Sequence, residues 1–201
     1  MELFLLAAFV AFVIWKLRSQ DQGRRIALLG SHLSMYQIEK NMETLTQGYL
    51  RALGENDPDR REQVFGLLHS TEQALGDQFS RFAAEFALAQ EADTRVSKLP
   101  FHIPFAARLF PLATFDVRKA LAIHARGIAR AAEGGGHSSP KDLAFTMSAE
   151  LFLMQHTCHW FCKSKTVASA RMWARHQTSY EQLIAAVAPD TRAAYCALIG
   201  R

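Results

Sequence analysis

The chain predicts an all-α protein, an N-terminal membrane helix followed by a multi-helix bundle with long antiparallel helices. Three observations carry that expectation. Residues 3–15 read LFLLAAFVAFVIW, thirteen residues without a charge, closed at once by Lys16-Leu17-Arg18. Apolar side chains then recur at spacings of three and four through most of the chain, while the alternation of a half-buried strand is nearly absent. Composition agrees: 49% apolar and 21% charged residues, with abundant alanine, suit a packed helical body rather than a disordered one.

Residues 1–18 are the expected anchor and residues 19–201 the single domain hung from it. Thirteen helical residues rise about 20 Å, against a hydrocarbon core of about 30 Å. Met1 and Leu17 lengthen the apolar stretch, and Lys16 and Arg18 can snorkel to the headgroups. A cleaved secretory signal has an apolar region this short, but only Met1 and Glu2 precede the run and no small-x-small pattern follows Trp15. A helix lying on the membrane surface, or buried in the body, is the remaining option. Residues 16–25 carry Lys16, Arg18, Arg24 and Arg25 against Asp21, and the other flank carries only Glu2. That asymmetry puts the body of a single-pass protein on the cytoplasmic side, which in a prokaryote is the inner membrane.

Charge and cysteine content narrow the partners. The net charge is +4, and residues 1–25 hold half of it, so the body lacks the concentrated basic face of a nucleic-acid binder. Three cysteines make an odd count, which fits a reducing compartment better than a disulfide framework.

Taken in order, residues 24–53 place Ile26, Leu29, Leu33, Met35, Ile38, Met42, Leu45, Tyr49 and Leu53 on a helical stripe that slips phase near Leu33–Met35. With no proline in between, a helix continuous with the anchor and bent at Gly23 is expected. Asn56-Asp57-Pro58 supplies a cap and a first-turn proline for a helix striped by Val64, Leu68, Thr71, Leu75, Phe79, Phe82, Phe86 and Ala89, running to about Asp93. The short link makes these two helices an antiparallel hairpin.

Residues 95–115 break the pattern. Pro100, Pro104 and Pro111 forbid a long helix, yet Leu99, Phe101, Ile103, Phe105, Leu109, Phe110, Leu112 and Phe115 are as apolar as a core. A buried crossover, a membrane-dipping segment flanked by Arg95, Lys98 and Arg108, and a docking surface for a partner are the three readings. The buried crossover leads.

Asp116 caps the next helix, with Val117, Leu121, His124 and Ile128 inward, Lys119, Arg126 and Arg130 on a solvated side, and a stop at Gly134-Gly135-Gly136. Ser139-Pro140-Lys141-Asp142 opens another helix with the ingredients of a capping box. Residues 140–187 form one helix or two broken near Lys163–Lys165, the later part placing Trp173, Tyr180, Leu183, Ile184 and Val187 inward. Pro189-Asp190 starts a short last helix with Tyr195, Leu198 and Ile199.

Chemistry has few places to hide. Cys158, His159 and Cys162 fall within about one helical turn and could converge on zinc or a similar ion, but both cysteines lie on the stripe of Leu151 and Met154, where a free cysteine is ordinary core. Haem attachment would need Cys-x-x-Cys-His, which is absent. Between Leu151 and Tyr180 there is no acid, while Lys163, Lys165, Arg171 and Arg175 accompany three histidines. This stretch could meet an anionic partner; acids on neighbouring helices, such as Glu85 or Glu91, are the preferred counterions. No phosphate loop, His-Glu-x-x-His, Gly-x-Ser-x-Gly or Glu-x-x-His pairing occurs.

The sequence therefore points away from an enzyme. It reads as a membrane-anchored interaction or assembly protein that holds partner proteins at the cytoplasmic face, with no cofactor favoured. Candidate membrane or partner contacts are Leu99, Phe101, Ile103, Phe105, Phe110, Lys163, Lys165, Arg171 and Arg175. The alternatives are a ligand-, haem- or metal-binding sensor or enzyme with a pocket in the bundle, and a peripheral lipid-binding domain.

Overall fold

A computed structural model describes residues 1–134 and 139–201, and within them the chain is all-α apart from one two-stranded sheet. Helix α1 runs from Glu2 to Leu33, α2 from Ile38 to Gly54 and α3 from Pro58 to Phe86. Helix α4 (Glu91–Thr94) leads into β1 (Arg95–Ser97), and α5 (Ala106–Leu109) and a 3-10 turn (Pro111–Ala113) lead into β2 (Thr114–Asp116). The remaining helices are α6 (Val117–Ala132), α7 (Pro140–Cys162), α8 (Lys165–His176), α9 (Tyr180–Ala186) and α10 (Pro189–Ile199).

Local chemistry sets the boundaries. The Asp57 carboxylate accepts the Asp59 and Arg60 N–H groups ahead of Pro58, satisfying donors that a helix start leaves unpaired. Asp116 caps α6 through Arg118 N, Ser139 caps α7 through Asp142 N, and Ser164 caps α8 through Val167 N. Ser179 and Gln182 form a reciprocal capping box on α9. Helix α6 stops at Gly134, whose φ of +77° costs glycine little; Gly135 and Gly136 lie outside the described residues.

Helices α2 and α3 form the expected antiparallel hairpin. Tyr49 Oη donates to Glu72 Oε1, and Gly48 lies so close to Leu68 that a Cβ would stand 2.5 Å from Cδ2. Helix α3 packs on α6, α6 on α7 and α10, and α7 on α8, α9 and α1. Phe79, Phe82, Phe86 and Phe161 run through the centre with successive ring centroids 5.5–6.0 Å apart. Aromatic pairs at such spacings contribute beyond their buried area.

Several expectations are corrected. The helix expected over residues 24–53 is two: α1 ends at Leu33, where the stripe slips phase, and α2 restarts at Ile38. Helix α1 is uninterrupted through Gly23, and α3 stops at Phe86 rather than near Asp93. Residues 140–187 form three helices, because a second break falls at Gln177, whose φ is +51°. Trp173 is 56% exposed, not inward.

No helix among the described residues is long and apolar enough to cross a membrane. The physical reason is length: Glu2, Lys16 and Arg18 confine the apolar part of α1 to about two-thirds of a hydrocarbon core. A transmembrane anchor is therefore not supported by helix length and hydropathy.

Candidate contact face and the polar core

Two exposed apolar surfaces are linked near the middle of α1 by one polar contact, His102 to Asp21. From Met1 to Leu17 every residue is exposed, including Leu3, Phe4, Leu6, Phe9, Phe12 and Trp15. Burial of α1 begins only with Gln22, Arg25 and Leu29. At that junction Arg25 Nε donates to Asp21 Oδ2 at 3.1 Å, and the Arg25 guanidinium stands 5.5 Å from the Phe161 ring centroid. Lys163 Nζ donates to Gln22 Oε1 at 3.1 Å.

The second surface is residues 98–113, and it is not the buried crossover that the sequence favoured. Phe101, Phe105, Leu109, Phe110 and Leu112 are 48–94% exposed, and Leu99 stands at 36%. Ile103 is half-buried. The loop is nonetheless firmly held. Its base is the antiparallel ladder Arg95–Asp116, Val96–Phe115 and Ser97–Thr114, extended by Lys98 N donating to Ala113 O. Trp160 Nε1 donates to Ser97 O at 2.9 Å, and both Thr166 N and Oγ1 donate to Pro100 O. The outward turn includes Phe105 at φ +57°, a left-handed backbone uncommon for a bulky residue.

The loop also touches α1. His102 Nε2 lies 2.8 Å from Asp21 Oδ2, an ion pair when the imidazole is protonated. Burial pushes the Asp21 carboxyl upward, but contact with His102 and the Arg25 charge outweigh it and leave its pKa lowered. The loop is thus fastened to α1 six residues beyond Trp15, about 9 Å along the helix axis.

The basic residues of 151–180 do not meet Glu85 or Glu91. Glu91 pairs with Arg95 and Arg118, and Glu85 adjoins Tyr36. Lys163 reaches α1, while Lys165 Nζ sits 5.4 Å from the Trp160 ring centroid and 5.0 Å from that of Tyr180. Burial lowers the Lys165 pKa. Arg171 and Arg175 are exposed, and Arg175 lines a groove of about 640 Å³ between α2 and α7–α8. Glu39, Lys40 and Glu43 line one wall; His159, Arg175 and His176 line the other, with His176 stacked on Phe152 at 3.9 Å.

Cys158, His159 and Cys162 do not gather around a common point. Cys158 Sγ faces Met154 Sδ at 3.8 Å, whereas His159 lines the groove. Burial pushes the Cys158 thiol up strongly and that of Cys162 to about 11, so both are thiols near neutral pH. Burial, then the charges of Arg171 and Arg175, bring His159 down to about 4. Among the described residues no group of three or more His, Cys, Asp or Glu side chains is placed to hold a metal ion.

Helical periodicity could not reveal the buried polar chain inside the body. His124 Nε2 lies 2.9 Å from Thr157 Oγ1, which lies 3.2 Å from Tyr195 Oη, to which Tyr180 Oη donates. His156 stacks on Tyr180 at 4.2 Å and meets Ser169 Oγ. Burial brings both His124 and His156 down to about 3, so they are neutral near neutral pH. Glu150, also fully buried, accepts Ala188 N through Oε1; burial lifts its carboxyl to about 7 against the opposing contacts of Thr191 and Ala188. These partners come from α6, α7, α8, α9 and α10, joined only by folding.

No family model, curated protein or solved structure matches this chain.

Proposed function

We propose that the protein is a membrane-tethered helical assembly protein, non-enzymatic, whose α1 embeds residues 3–15 in lipid while the body binds a partner protein. The observation that carries this reading is the unbroken exposure of the apolar half of α1. Large contiguous apolar surface in water is the usual mark of a membrane or protein contact. Insertion of about 20 Å of helix reaches well into a bilayer, and local thinning accommodates the remainder. Lys16, Arg18 and Arg24 at the exit favour the cytoplasmic, anionic leaflet for the body.

The partner surface in this reading is the α2/α7–α8 groove. Its facing walls of Glu39 and Glu43 against Arg175 suit a protein segment carrying both signs of charge around an apolar residue placed on Phe152.

Full-length protein should stay with membranes through alkaline carbonate washing, and mild detergent should extract it with a stoichiometric protein partner. Release by carbonate would overturn the tether. A partnerless protein that carries a chromophore or metal would overturn the assembly role.

A further inference from the structure

We infer that residues 99–112 form a second lipid-contacting element, a preformed wedge seated in the headgroup layer of an anionic membrane beside the entry point of α1. The inference rests on the proposed embedding of α1 and gives the tether a second foot.

Three observations lead to it. The loop exposes large apolar groups while its backbone is pinned, so it presents Phe101, Phe105, Leu109, Phe110 and Leu112 without the ordering cost of a flexible segment. Its position is close to the headgroup layer: the Asp21–His102 contact fastens it to α1 about 9 Å along the axis from Trp15, next to the polar layer of about 5–8 Å that a hydrocarbon edge at Trp15 sets there. Charge selects lipid over a protein partner. Neither residues 3–20 nor residues 98–115 contain an acid, Lys16, Arg18, Lys98 and Arg108 border the two apolar surfaces, and the nearby Asp21 is already engaged by Arg25. Aromatic and leucine side chains beside bases are the composition of interfacial membrane contacts.

The left-handed Phe105 gives the inference a separable test. Asparagine tolerates that backbone without the ring, so Phe105→Asn should leave the thermal midpoint unchanged or raised while weakening partition into vesicles. A ring needed only for folding would instead lower the midpoint. In full-length protein on vesicles of phosphatidylcholine and phosphatidylglycerol, Leu112→Gln should reduce partition on the order of tenfold, the worth of one buried leucine.

The deciding measurement is nitroxide depth, read from collisions with oxygen and with a water-soluble nickel chelate, for labels at Phe9→Cys and Leu112→Cys in the full chain. The unsubstituted protein controls for labelling of the three partly buried native cysteines. Both labels protected from nickel by lipid supports the inference. Protection at 112 alone overturns the reading of α1 and, with it, the loop's place as a second foot beside an embedded helix. Protection at 9 alone overturns it and leaves the α1 tether standing, and protection at neither overturns both.

Discussion

The outside of α1 and the inside of the bundle invert the usual arrangement. Leu6, Phe9, Phe12 and Trp15 stand in solvent, while His124, Glu150, His156 and Thr157 are fully buried. The buried groups largely find partners in one another: a histidine meets a threonine, which meets a tyrosine, and the glutamate receives a backbone N–H. Among the described residues the outer apolar groups of α1 find none beyond the helix itself, where the Phe12 and Trp15 rings approach to 6.0 Å. Polar chemistry inside is met largely by the fold, with His124 Nδ1, His156 Nδ1 and Glu150 Oε2 left without a hydrogen-bond partner among the described residues, whereas apolar chemistry outside is met only by something the fold does not contain. The second kind of surface is where function is to be sought.

The largest test of this contrast changes only its outer side. Leu6→Glu combined with Phe9→Glu should abolish membrane association, because each central acid opposes insertion by about 2.5–3.5 kcal/mol. The thermal midpoint of the body should stay within a degree or two (~2 °C). A lowered midpoint would mean that the apolar half of α1 packs on the body.

The inner side should respond to acid. His124 and His156 have folded pKa values depressed by burial to about 3 from the ordinary 6.5. Their neutral forms therefore contribute stability that is complete above pH ~6.5 and is lost as pH falls toward 3. The loss is on the order of 4 kcal/mol per residue if they titrate independently. Denaturant titrations from pH 7 to pH 4 should show it, and a flat profile would contradict their burial as neutral groups.

Glu150 tilts stability the other way. Its folded pKa is raised to about 7, so it adds no penalty below its unfolded pKa of 4.5 and destabilises progressively as pH rises through 7. Glu150→Gln should therefore gain up to about 3 kcal/mol over wild type at pH 8, and nothing near pH 4. Equal effects at both pH values would show that the carboxylate is not what strains the core.

The smallest effect belongs to the hinge between the two regions. Asp21 has a lowered pKa, so its pairing stabilises the fold above the usual carboxylate range and is lost as pH falls through its folded value. Asp21→Asn should cost no more than about 1 kcal/mol, since the site is partly solvated. Amide hydrogen exchange should nonetheless quicken in residues 99–110, and unchanged exchange would detach the loop from α1.

The bundle was legible from sequence where signals are local. Asn56-Asp57-Pro58, Asp116 and Ser139-Pro140 marked helix starts, whereas the phase slip at Leu33–Met35 reads as a turn of the stripe within one helix and is in fact a helix end. Ser179 and Gln182 carried an equally local signal that was missed, because the apolar stripe runs on across the break. The strands at 95–97 and 114–116 are too short for any period to register. Apolar content suggested a buried loop at 99–112, yet it could not reveal that Val96, Ala106 and Phe115 turn inward while Phe101, Phe105 and Leu112 turn out. The His124–Thr157–Tyr195 chain joins positions 33 and 38 residues apart and is invisible to periodicity.

Helix α1 is one uninterrupted element from Glu2 to Leu33, with its exposed half and its packed half sharing a single axis. Gln22, Arg25 and Leu29 fix the rotation of that axis against the bundle. An outer segment attached through a flexible linker would leave the body free to swivel. Here the tilt of residues 3–15 and the heading of the groove between α2 and α8 are one mechanical variable, so whatever reorients the one steers the other.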